Sequence, residues 1–187
     1  MNRCIEFASG DYLCIWNVDD LRTPDSIEVM AKALDDNPDI DFVYGNYYIV
    51  PQFGLTQGQY VDETGREDEL TTGMILGPFF MFRKSIIEKT GVFDEQLVSG
   101  ADYDLALRLA FNGKGLHLPI TLGYYLDEGL GASTNPNSKQ PIERTVIEMR
   151  YNIRILEPQL MPHTKEYNIE NIIVDEEKIP VSNLRWT

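Results

Sequence analysis

The chain has 187 residues, enough for one domain with a real core. Thirty acidic residues against sixteen basic ones leave a net charge of −14. That excludes a typical nucleic-acid binder, which needs a basic face to release counterions, and reads mainly as a solvated acidic surface.

Asn2 to Ala8 reads as a short helix, with Gly10 suited to a left-handed stop. Residues 11–18 are apolar almost throughout and predict a strand buried on both faces. Thr23-Pro24-Asp25 then opens a helix: Thr23 can cap, Pro24 suits the first turn, and Asp25 complements the dipole. Ile27, Met30, Ala31 and Leu34 form its apolar stripe, and Asn37-Pro38 ends it. Asp41 to Val50 is the next strand. Gly54 to Gly73, rich in Gly, Thr and acids, reads as a loop or loose hairpin. An apolar run from Ile75 to Arg83 leads into a short helix, Lys84 to Thr90, stopped by Gly91. Asp102 to Asn112 is a clearer helix, with Gly113 after it, and Leu116 to Leu126 is strand-like. Gln140 to Leu156 is predicted as the longest amphipathic helix, with Ile142, Val146, Met149, Ile153 and Leu156 on one face. A strand at Ile169–Val174 follows in the tail. Alternating strands and helices predict an α/β fold with a largely parallel sheet.

The two cysteines, Cys4 and Cys14, have no zinc-like spacing and predict buried, reduced thiols in a cytoplasmic protein. No basic-then-apolar leader opens the chain, and no apolar stretch approaches the roughly 20 residues that span a bilayer. Peripheral membrane contact stays open.

The chemistry concentrates in two acidic clusters. Asn17-Val18-Asp19-Asp20 closes the first apolar strand. Adjacent carboxylates at the end of a buried strand repel and are costly to desolvate, and a divalent cation between them relieves both costs. Ligands of open α/β sheets also gather at the carboxyl ends of strands. Asp19 and Asp20 are therefore the candidate metal ligands. The second cluster, Ala101-Asp102-Tyr103-Asp104, opens the later helix, where Asp102 can serve as an N-cap and Asp104 can pair with Arg108 four residues on. His117, between Leu116 and Leu118, reads as a strand residue. Tyr44, Tyr47, Tyr48, Trp16 and Phe79 read first as core, with sugar stacking as the alternative.

Three segments in order resemble the inverting nucleotide-sugar glycosyltransferases of family two, which have the GT-A fold. Ala8-Ser9-Gly10-Asp11-Tyr12-Leu13 with Asn17-Val18-Asp19-Asp20 looks like the family's metal strand and its Asp-x-Asp motif. Gly77-Pro78-Phe79-Phe80-Met81-Phe82-Arg83-Lys84 looks like its acceptor-side strand. Gly91-Val92-Phe93-Asp94-Glu95, followed by Gly100 to Arg108, looks like its most specific motif, which carries the base. The resemblance covers roughly residues 2–135. It implies metal-dependent transfer of a sugar, with inversion, from a nucleotide-diphosphate donor to a glycan or lipid acceptor hydroxyl. Asp19 and Asp20 would hold Mg²⁺ or Mn²⁺, Asn17 and Asp19 would contact the donor, and Asp102 would be the base. Asp127 or Glu128 would at most assist the metal.

Two positions depart from the family pattern: Asn17 stands for the first Asp of the metal motif, and Ala101 for the Glu before the base. The family's nucleobase-binding half would precede the metal strand, and Met1 falls just before that strand. The expected fold is therefore a partial GT-A domain, a mixed and mostly parallel sheet flanked by helices. Residues 1–135 form its C-terminal portion, and residues 136–187 are a helix and tail packed on it. The expected exposed edge of strand 11–18 predicts a homo-oligomer. The rival reading is a truncated, non-catalytic oligomeric binding or scaffolding remnant. Arg185-Trp186 resembles the end of a motif of processive members, but Ser182 stands where that motif has Gln.

Overall fold

The computed structural model describes residues 1–129, 131, 138–151 and 153, and the backbone of 171–174 and 177–180. In chain order the elements are α1 (Asn2–Phe7), β1 (Tyr12–Cys14), β2 (Leu21–Arg22), α2 (Ser26–Asp36), β3 (Phe42–Val50), β4 (Gln59–Val61), β5 (Phe80–Arg83), α3 (Ile87–Thr90), α4 (Ala101–Asn112), β6 (Gly115–Leu126), α5 (Gln140–Arg150), β7 (Asn171–Val174) and β8 (Glu177–Pro180). Six strands form one sheet in the order β1-β5-β3-β6-β2, with β4 pairing to β3, and β7 and β8 form a separate two-stranded sheet.

The α/β class and the mixed sheet are as expected, but the sheet is not mostly parallel. Among the described strands only β3 and β6 run parallel; β5 lies antiparallel to both β1 and β3, β4 to β3, and β2 to β6. A parallel pair needs a long crossover, and the helices α3 and α4 supply that return from β3 to β6.

Alternation along the strands divides the core. Phe42 and Tyr44 of β3, with Phe80 and Phe82 of β5, pack against Ile86, Leu105 and Leu109 on one face. Val43 and Met81 point the other way, onto Met30 and Leu34 of α2. Arg83 fastens that second layer. Its guanidinium donates to Leu34 O at 2.6 Å and Asn37 O at 3.2 Å, and its Nε to Ile40 O at 2.7 Å, binding the end of α2 and the turn after it to β5.

Several local expectations are corrected. Strand β1 stops at Cys14, its three residues are only partly buried, and it sits at the sheet's edge, paired to β5 alone. Beyond it the chain turns into solvent, with Trp16 57% and Val18 99% exposed, so this run is not buried on both faces. Gly10 does not adopt a left-handed conformation, whereas Gly91, at φ 71°, does and stops α3 as predicted. Thr23 does not cap α2. Its hydroxyl donates instead to Thr121 O and Leu122 O of β6, and Ile27 is exposed. Cys4 is exposed and Cys14 partly buried, and both are free.

Helix α5 ends at Arg150, which makes α4 the longer helix. Its buried face carries Glu143, Ile147, Glu148 and Met149 rather than Ile142 and Val146. Leu156, His163, Ser182, Arg185 and Trp186 lie outside the described residues.

Candidate active site

The turn after β1 is built from short-range contacts. Asp20, 4% exposed, accepts from Leu126 N at 3.1 Å through Oδ1 and from Asn17 Nδ2 at 3.0 Å through Oδ2. Its carboxylate thus ties the turn to the carboxyl end of β6. Asn17 in place of a third carboxylate becomes intelligible here, because an amide donates to Asp20 where a carboxylate would repel it. Burial pushes the Asp20 carboxyl up and the neighbouring Asp19 charge adds to this, while the two hydrogen bonds oppose it. Asp19 is exposed and makes no hydrogen bond or ion pair among the described residues.

Beneath the turn lies Arg22, which the sequence reading missed. Its Nη2 donates to Ile15 O at 2.7 Å, and its guanidinium stacks 5.6 Å from the Trp16 ring and 5.2 Å from the Phe79 ring. The Nε and Nη1 atoms are buried without a hydrogen-bond partner. Burial weakens the hold of this guanidinium on its proton, and the Cys14 and Asp20 groups work against that. A single Arg two residues after the acidic pair gave no signal of this role. Trp16 packs over Arg22 and donates its indole N–H to Asp20 O at 3.2 Å, so a largely exposed aromatic ring stands beside the acidic turn.

The second cluster separates into two kinds of carboxylate. Asp104 is fully buried and saturated: Arg108 reaches Oδ2 at 2.6 Å, while Arg150 and the Tyr151 hydroxyl each reach Oδ1 at 2.9 Å. Arg150 also pairs with Asp94 at 2.8 Å, and Arg108 donates to Thr90 O. Burial and the Asp104 charge push the Tyr151 hydroxyl up to about 12. Asp104 is therefore structural, as the spacing to Arg108 predicted.

Asp102 is only partly buried, and its carboxylate accepts from Tyr103 N at 2.8 Å. Burial pushes its carboxyl up, the Tyr103 and Asp102 N–H groups oppose this, and the charge of Glu143 adds to it. Asp102 is not the N-cap; Gly100 holds that position. No hydrogen bond links Asp102 to Asn17 or Asp20 among the described residues: Asp20 accepts from Asn17 and Leu126, and Asp102 from Tyr103.

Among the described residues no group of three or more His, Cys, Asp or Glu side chains converges as a metal cage. The oxygens on offer still suit a hard cation. Mg²⁺ and Mn²⁺ are commonly held by one or two carboxylates together with substrate phosphates, and Asp19 presents a free carboxylate on an exposed turn. Asp127 is on an exposed loop, where its Oδ1 accepts from Gly129 N at 3.2 Å. His117 is a core residue, its Nε2 2.8 Å from Asn46 Oδ1. Tyr44 and Phe79 are core as well.

The sheet is mixed, with helices on both faces and the acidic turn at its edge. The family model described as glycosyl transferase family 2 matches residues 1–91, and over that stretch the relationship read from the motifs is shown. The motif from Gly91 to Arg108, with Asp102, lies almost wholly beyond the matched residues. An uncharacterized glycosyltransferase of Methanocaldococcus jannaschii is 26% identical over 116 residues, 59% of this chain and 40% of that protein. A chondroitin synthase of Pasteurella multocida is 31% identical over 118 residues, 63% of this chain and 12% of that protein. The chain thus spans less than half the length of either relative. The crystal structure of S. aureus TarS 1-349 superposes with a TM-score of 0.54 at 14% identity, covering all of this chain and 75% of that one, which supports the fold. No helix among the described residues is long and apolar enough to cross a membrane.

Proposed function

We propose that the chain is the acceptor-side portion of an inverting glycosyltransferase, one that moves a sugar from a nucleotide-diphosphate donor to a glycan or lipid hydroxyl in the cytoplasm. The observation that carries this reading is the Asn17–Asp20 turn. Its inner carboxylate is spent on fixing the backbone, and its outer one, on Asp19, is left exposed and unpaired. Asp19 would hold Mg²⁺ or Mn²⁺ against the donor phosphates, with Asp20 as its inner neighbour and Asn17 within reach of the donor. When bound, the cation neutralises charge on the departing diphosphate. Trp16 offers an exposed ring for a sugar face. Asp102, its carboxyl raised by burial, would take the proton of the acceptor hydroxyl. Residues 1–135 would carry this chemistry, with 136–187 packed on them.

Calorimetric titration of UDP and GDP with and without Mn²⁺ tests the donor half of this reading. A rival reading, a non-catalytic oligomeric scaffold, is favoured by Ala101 and by the position of β1 at the sheet edge, where its outer side has no strand neighbour among the described residues. We propose that this edge pairs with a second copy. Sizing with light scattering at micromolar concentration should give a dimer or larger, and a clean monomer contradicts it.

A further inference from the structure

The backbone entering α4 is held from a distance. Glu143 of α5 is 8% exposed, and its carboxylate accepts from three consecutive N–H groups: Val98 N at 2.9 Å, Ser99 N at 2.7 Å and Gly100 N at 2.7 Å. These are the amides of the N-cap residue and of the two residues before it, and a side chain more than forty residues away takes them up. The packing around it is close. A Cβ on Gly100 would meet Ile147 Cδ1 at 2.9 Å and Glu143 Cβ at 3.3 Å, so the loop sits directly against α5. Two residues beyond Gly100 stands Asp102.

We infer that Glu143 is a positioning residue for Asp102, gathering the 98–100 amides into one fixed arrangement and so setting the first turn of α4. Glu143 is also the charge that bears on Asp102, pushing its carboxyl in the same direction as burial does. The other ionised groups of this corner, Asp94, Asp104, Arg108 and Arg150, are tied to one another. Glu143 therefore does two things to the proposed base: it fixes where the base stands and favours its protonated form. This inference rests on the reading of Asp102 as the base.

The test is side-chain carboxyl and backbone amide NMR on the full chain and on Glu143→Gln, with Asp102→Asn to assign the Asp102 signal. The expected result has two parts. The Val98, Ser99 and Gly100 amides should exchange with solvent about ten- to hundred-fold faster in Glu143→Gln, because a charge-assisted acceptor is weakened. The Asp102 carboxyl should titrate at lower pH than in the parent chain while the amide chemical shifts of the rest of α4 stay in place, because loosened packing, which would also lower it, would move those shifts. Unchanged exchange and an unchanged Asp102 titration would overturn the inference. Should Glu143→Gln fail to fold, exchange in the unmodified chain decides: the three amides, although in a loop, should be protected, and free exchange overturns the inference. A positive NMR result combined with sugar transfer undiminished in Asp102→Asn would instead overturn the base reading and leave the contact standing.

Discussion

Two acidic clusters look alike in the sequence and differ in every physical respect in the fold. Around Asp104, the charge is buried or half-buried and answered: two arginines, a tyrosine hydroxyl and Asp94 close a network that joins α4, α5 and the loop after Gly91. Around Asp19, charge is left open. One carboxylate is unpaired in solvent, its neighbour is protonated more easily than usual, and an arginine beneath them has two nitrogens without a hydrogen-bond partner. A saturated network stabilises only as a whole, because removing one member strands the others. An unsaturated turn contributes little to stability and keeps its bonding capacity for something outside the chain.

The sharpest way to break this contrast is Asp104→Ala. It strands Arg108 and Arg150 in a largely buried corner and should cost about 3–5 kcal/mol, read by urea denaturation. A loss below about 1 kcal/mol would mean the network is ornamental.

Asn17→Asp should do the reverse at the other cluster. It replaces a donor to Asp20 with a like charge and should cost about 1 kcal/mol, the repulsion of two unit charges about 4 Å apart in water. Mn²⁺ should restore the midpoint if the turn binds the cation. A variant that stays destabilised in millimolar Mn²⁺ would count against a metal there.

Asp102→Asn should make the protein slightly more stable at pH 8. The folded state raises the Asp102 carboxyl above its unfolded value, so it binds the proton more tightly than the unfolded chain does. The resulting cost is absent below the ordinary aspartate range and accumulates as pH rises through the raised folded value. The advantage of the variant should therefore shrink on acidification, and one that grew instead would contradict the assigned direction. The smallest stability effect belongs to Asp19→Ala, whose denaturation midpoint should match that of the parent chain because nothing in the fold leans on that side chain.

Much of this was legible in the sequence because it is local. The α/β alternation, the stop at Gly91, the pairing of Asp104 with Arg108 and the acidic turn after the first strand all follow from neighbours within a few positions. What was not legible depends on residues distant in the chain. Strand 11–18 read as a buried strand from its apolar content, but a strand's length is fixed by its partners, and among the described residues β1 has β5 on one side only. Asp102 has the residue type of an N-cap, yet α4 already begins at Ala101, behind amides that Glu143, far along the chain, holds. Arg83 looked like part of an acceptor-side motif and turns out to fasten the end of α2. The buried face of α5 was misassigned because its glutamates find backbone and arginine partners that no hydropathy pattern encodes.

The central claim is that Asp19 is left open for a cation and a donor diphosphate. Calorimetric titration of UDP, then GDP, into the parent chain and into Asp19→Ala, each with and without Mn²⁺, tests it most directly. Binding that requires Mn²⁺ and disappears in Asp19→Ala, while the fold is unchanged, is the predicted result. Absence of binding up to millimolar nucleotide, or binding indifferent to Asp19, would contradict it and favour the scaffold reading.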